Sequence, residues 1–282
     1  IVIEGTDCSG KETQSKLLEE RLRKEGVKAA RISFPMYDTP SGKIVGACLL
    51  GKPHMCEKIL KEDHGFFAEG GGEVDSLAAL CYYAADRRYN LPIINKYINN
   101  GYTLIIDRYV TSNMAHRGGM LEKKEERLKM YQKIDTLEYG LMELPRPDQV
   151  ILLYMPFEYA CILKKNRDEV PDETESDENY LKRGENAYLE LADIYNYDVV
   201  NCISNGEIRS IEEISEDVYK LVRKSKWVDK MNLKKIFDKE ITIEEKIIYY
   251  YTIYKEEQNK KKKIIILGKL KKLLAEYASW MN

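Results

Sequence analysis

Short apolar runs alternate with amphipathic stretches along residues 1–224, and this alternation predicts βαβ units wound around a parallel sheet. Residues 1–4 read as the first strand. Residues 11–26 follow at helical spacing, with Leu17, Leu18 and Leu22 on one face and Gly26 as the stop signal, and the chain returns through residues 28–33 as a second strand. A helical stretch over 77–99 feeds the apolar run 102–106, which ends on Asp107. Pro147-Asp148 introduces a fourth strand over 149–154, and 197–201 gives a fifth. Charged helices are expected near 121–142, 158–166 and 178–195. Residues 64–76, with Gly70-Gly71-Gly72, and the acidic stretch 168–177, with Pro171, read as loops of the kind that serve as lids.

The pattern changes at residue 225. Beyond it 14 lysines stand against eight acids, so the chain is expected to divide into a domain over 1–224 and a lysine-rich, helical extension over 225–282. With 282 residues, 44% of them hydrophobic, the first region is long enough to bury a large core. The formal net charge of −2 supplies no global field to steer the protein onto nucleic acid. No run approaches the roughly 18 apolar residues that span a bilayer, so no membrane partner is expected. Six scattered cysteines without a CxxC pair, and three histidines, give no zinc site of ordinary spacing and fit a reduced, cytoplasmic setting.

The strongest chemical signal is Gly5-x-x-x-x-Gly10-Lys11, running from a strand into a helix. Glycines let successive backbone N–H groups converge on phosphate oxygens, the helix N-terminus adds its positive end, and Lys11 places a cation on the transferred group. Gly5, Ser9, Gly10, Lys11, Glu12, Thr13 and Gln14 are thus the candidate phosphate-binding residues. Glu12 stands where a hydroxyl normally meets Mg²⁺, with Thr13 one place later; either Glu12 reaches the metal through water, or Thr13 and solvent take the role, or the site is degraded. Phosphoryl transfer also needs cations from other strands and a carboxylate near the metal. Asp107-Arg108-Tyr109 follows directly on an apolar run, which puts Asp107, a third candidate toward the metal, at a strand's carboxyl end.

These residues resemble the thymidylate kinases, within the nucleoside monophosphate kinases. The resemblance runs to about residue 223 through Glu4-Gly5-Thr6-Asp7-x-x-Gly10-Lys11-x-Thr13-Gln14, Phe34-Pro35, Tyr83-Ala84-Ala85-Asp86-Arg87, Asp107-Arg108-Tyr109-x-x-Ser112 and Pro147-Asp148. It implies a five-stranded parallel sheet with helices on both faces, ATP and Mg²⁺ as cofactors, γ-phosphoryl transfer to deoxythymidine monophosphate for DNA precursor supply, and a homodimer. By the same similarity Asp7 would hold the acceptor's sugar hydroxyl, Phe34 would shape its pocket, Arg108 would grip its phosphate, and Ser112 belongs to the acceptor motif. Tyr83 and Arg87 are four residues apart and share a helix face, the ring suited to stacking on a base and the guanidinium to its carbonyl edge.

Three positions depart from the family pattern. Arg117 replaces a glutamine or threonine and is donor-only, so it cannot accept an N3–H and leaves the base open; Tyr37 replaces an arginine; Cys8 replaces an arginine seen in some members. The missing cation is expected from the lid, with Arg167 as first choice and Lys164, Lys165, Lys182 and Arg183 as others. Two alternatives stand beside the monophosphate kinase. A deoxynucleoside kinase would need a carboxylate base, for which Glu4 is the nearest candidate. A lapsed nucleotide-binding module would work through the lysine-rich tail, where the cluster over 260–263 is the one candidate contact for nucleic acid.

Overall fold

The computed structural model describes residues 1–6, 8–50, 52, 67, 74–165 and 178–224, together with 267, 268, 270–272, 274 and 275. The chain divides into two compact units, Ile1–Lys224 and Ser225–Asn282. The first is built on five strands, β1 (Val2–Gly5), β2 (Ala29–Ser33), β3 (Thr103–Asp107), β4 (Val150–Tyr154) and β5 (Asp198–Asn201), in the order β2-β3-β1-β4-β5 with every pairing parallel. β1 and β3 are buried along their whole length, which is why both read as unbroken apolar runs rather than as alternation.

Alternate residues feed two layers. Val2, Ile32, Ile106 and Leu152 face a core shared with α3 (Ser76–Tyr89), α4 (Leu91–Asn99), α5 (Val110–Gly118), α6 (Lys124–Asp135) and α8 (Glu178–Tyr195). On the other side α1 (Lys11–Lys24) packs on β1, β2 and β3 and against α9 (Ile211–Lys224), which covers β5. The short α2 (Pro40–Ile44), which runs on into a π-helical turn (Val45–Leu49), α7 (Phe157–Lys165) and a hairpin of β6 (Ile203–Ser204) and β7 (Glu207–Ile208) are further elements.

Several expected elements are redrawn. The single helix over 77–99 is two, because Asn90 ends α3 and Pro92 stands in the first turn of α4, where its ring is tolerated but a continuous ladder is not. The helix over 121–142 begins later, at Lys124, and ends in a π-helical turn, Thr136–Leu141. α5, α2, α9 and the hairpin were not anticipated. The loops expected over 64–76 and 168–177 lie mainly outside the described residues, as does nearly all of 225–282.

Candidate active site

The loop after β1 is shaped by backbone demands that its sequence meets. Gly5 has φ of +150°, and a Cβ there would lie 2.5 Å from the Leu153 carbonyl oxygen and 2.6 Å from Ser9 Oγ, so only glycine lets β1 and β4 close beneath the loop. Cys8 and Gly10 both adopt left-handed φ, 61° and 81°, and Gly10 precedes α1 without any side-chain cap. A helix start left uncapped by the protein is suited to an anion. Lys11, only 6% exposed, folds back to donate from Nζ to the Thr6 carbonyl at 2.6 Å, and Thr6 Oγ1 donates to the Met155 carbonyl at the end of β4. Ser9 Oγ is buried with no hydrogen-bond partner, a polar atom in the loop that a phosphate oxygen would satisfy.

Other predicted loop residues are engaged elsewhere. Gln14 is buried and donates from Nε2 to the Ile211 carbonyl at 2.9 Å, tying α1 to the start of α9. Glu12 is exposed, and its carboxylate takes Lys16 Nζ at 2.6 Å along the outside of α1, while Thr13 is exposed as well. Asp7 falls outside the described residues, and so does Arg167. Lys164 lines a cavity beside the loop with Thr6, Cys8, Phe157, Cys161 and Glu185; Lys182 Nζ stands 4.7 Å from the Phe157 ring, and Arg183 Nε is buried without a partner.

β3 lies next to β1, with Ile3 opposite Asp107, so the segment after β3 opens on the same edge as the loop. Arg108 carries φ of 63° and donates its backbone N–H to the Ile3 carbonyl at 3.1 Å. Glu4 fixes the rest. Its Oε1 accepts the Tyr109 N–H at 2.8 Å and the Ser112 N–H at 3.2 Å, and its Oε2 accepts Ser112 Oγ at 2.7 Å and Tyr188 Oη at 3.3 Å. A fully buried carboxylate thus caps the first turn of α5 from 105 residues away, and burial pushes its pKa up against the lowering effect of these donors. Asp107 accepts Arg31 Nη2 at 2.8 Å.

Of the residues expected on the acceptor side, Phe34 follows β2 and the other described ones lie on or beside α3 and α5. Phe34 is buried against Tyr109, with ring centroids 6.0 Å apart. Tyr83 is half-buried beside Val45, Leu49 and Ala79; the Arg117 guanidinium lies 5.7 Å from its ring centroid, with Nε buried and unpartnered. Arg87, in contrast, is buried in a two-pronged ion pair with Glu138, and Ser112 spends its hydroxyl on Glu4. Asp86 belongs to the quoted motif, but the sequence assigned it no role. Its carboxylate accepts the Met36 N–H at 2.9 Å, Ser41 Oγ at 2.7 Å and Asn90 Nδ2 at 2.9 Å, anchoring the segment after Phe34-Pro35 to α3.

The thymidylate kinase family model matches residues 3–218, from the strand before the phosphate loop almost to the end of the first unit. The chain belongs to that family. A human thymidylate kinase is 30% identical over 155 residues, covering 55% of this chain and 60% of the relative; a probable thymidylate kinase from Methanocaldococcus jannaschii is 29% identical over 218 residues, covering 77% and 92%. A solved thymidylate kinase from Candida albicans shares the fold with a TM-score of 0.58 at 22% identity, over 80% of this chain and 91% of that one. Among the described residues of this thymidylate kinase family member, no three acidic, histidine or cysteine side chains gather into a metal cluster. No described helix is long and apolar enough to cross a membrane.

Proposed function

We propose that this chain transfers the γ-phosphoryl group of ATP to deoxythymidine monophosphate, releasing ADP and deoxythymidine diphosphate. The observation that carries this reading is the placement of two phosphate-handling features on adjacent strands: the uncapped loop with Lys11 after β1, and Arg108 after β3. A nucleoside acceptor would need only the first.

On this reading the α1 N-terminus and Ser9 Oγ receive the ATP phosphates, and Lys11 leaves the Thr6 carbonyl to follow the transferred group. An acceptor phosphate oxygen forms its bond to the γ-phosphorus as the bond to the ADP oxygen breaks, so no covalent enzyme intermediate arises. Arg108 holds the acceptor phosphate in line, and its backbone is preset by the Ile3 carbonyl. Mg²⁺ arriving with ATP would supply charge neutralisation, and Asp107, which accepts Arg31 Nη2, would be its supporting carboxylate. Tyr83 and Phe34 shape the base pocket, and Arg167, outside the described residues, is the candidate for the further cation. The protein acts in the cytoplasm as a homodimer, with residues 225–282 as a separate appendage.

The deoxynucleoside kinase reading loses its base, because Glu4 is enclosed by four donors and has no path to a substrate hydroxyl. A coupled assay of ADP release with ATP and Mg²⁺, against nucleoside monophosphates and nucleosides, tests the proposal. Turnover on deoxythymidine monophosphate is expected; turnover on nucleosides alone, or none, overturns it.

A further inference from the structure

The cavity beside the phosphate loop holds two cysteines. Cys8 lines it from the loop, together with Thr6, and Cys161 lines it from α7, where Phe157, Cys161 and Lys164 recur at helical spacing and so share one face. Both stand as thiols and both are half-buried, sheltered by the cavity yet within reach of a small reagent. The other described cysteines are placed differently. Cys48 and Cys202 are buried, and burial pushes the Cys202 thiol up to about 11, which keeps it neutral, while Cys81 is exposed on α3 and lies outside this cavity.

The two walls are held in different ways. Glu185 of α8 fixes the start of α7, its Oε2 accepting the Phe157 N–H at 3.0 Å and its Oε1 accepting Tyr154 Oη at 3.0 Å. Cys161 follows that anchor by about one helical turn. Cys8, by contrast, adopts a left-handed φ of 61° inside a loop whose curl also depends on Gly10 at 81°. An S–S bond is about 2.05 Å long, well inside the contact distance of two unbonded sulfurs. Joining Cys8 to Cys161 therefore draws the loop toward the anchored α7, and the backbone N–H groups of the loop no longer converge on one point.

We propose that Cys8 and Cys161 form a reversible thiol–disulfide site whose oxidation distorts the phosphate loop and weakens ATP binding. The reagent class is a low-molecular-weight disulfide, for which oxidised glutathione serves as the probe. One protein thiolate attacks a sulfur of that disulfide, its S–S bond breaks and one glutathione leaves; the second thiolate attacks the resulting mixed disulfide and expels the other glutathione. Two protein thiols are oxidised, one glutathione disulfide is reduced, and the two thiol protons end on the two glutathiones. The effect on ATP rests on the nucleotide reading above, whereas the bond itself does not.

The test equilibrates the full chain in glutathione buffers of graded oxidised-to-reduced ratio, quenches it with acid and maps its peptides by mass spectrometry without reduction. A peptide pair joined through Cys8 and Cys161, two hydrogens lighter than its parts and separated by dithiothreitol, is expected. Calorimetric ATP affinity is expected to fall by about tenfold or more in the joined form and to recover on reduction. Cys161→Ser is expected to match the wild type in reducing buffer, to form no such pair and to keep its ATP affinity in oxidising buffer. A wild type without the Cys8–Cys161 pair overturns the inference, and so does a joined form that binds ATP unchanged. An equal loss of affinity in Cys161→Ser overturns it as well, because Cys8 alone would then suffice. None of these readouts needs an acceptor. A chain that loses ATP on joining yet phosphorylates no monophosphate refutes the acceptor reading and supports this inference, whereas a reduced chain that binds no ATP removes both.

Discussion

Lys11 and Glu4 show how differently two buried charges serve one site. Lys11 is parked on a carbonyl that it can exchange for phosphate, so Lys11→Ala is expected to lower turnover by about a hundredfold or more while leaving the melting temperature nearly unchanged. Steady-state assays beside thermal denaturation check both halves. Glu4 is structural, and its pKa is raised by burial. The folded protein then binds this proton more tightly than the unfolded chain does. The stability gained is fully present below the ordinary value of 4.5 and is lost as pH rises through the raised folded value. Denaturant midpoints measured from pH 4 upward are expected to fall in the wild type relative to Glu4→Gln across that window, and parallel curves would contradict the assignment. The loop glycines and Lys11 were legible in the sequence because their spacing is a backbone requirement. The partners of Gln14, Arg87 and Ser112 were not, because each lies at least 51 residues away and was chosen by tertiary packing.

Among elements, the five strands were legible to within a residue at each end, and β1 and β3 most directly, since strands covered on both faces demand continuous apolar runs. α8 likewise matches its expected bounds. α5 escaped notice because its N-terminus is capped by Glu4 from β1, and no local capping residue announces it. Its other end depends on closeness: a Cβ on Gly118 would fall 2.1 Å from a ring carbon of Tyr131 on α6. Gly118→Ala is therefore expected to destabilise the fold by about 1–3 kcal/mol, read as a reduced denaturant midpoint. Adding Tyr131→Leu to that background should recover part of the loss, because it removes the obstructing ring.

For the molecule as a whole, the loop after β1 and the segment after β3 open at the same end of the sheet because β1 and β3 pair, a neighbourhood that only the folded strand order reveals. The role of Glu4 goes further. It stands one residue before the phosphate loop, while its carboxylate grips the turn that carries Arg108 and Tyr109. On the proposed reading the two half-sites share a pivot, and a ligand that stiffens one lowers the ordering cost for the other. ATP and the acceptor should each tighten the other's binding by the same factor, as thermodynamic reciprocity requires. Titrating either nucleotide calorimetrically, with and without a nonreactive analogue of the other, measures that factor, and in Glu4→Gln it should fall toward one. A residue that never touches a substrate would then be the one through which the two substrates sense each other.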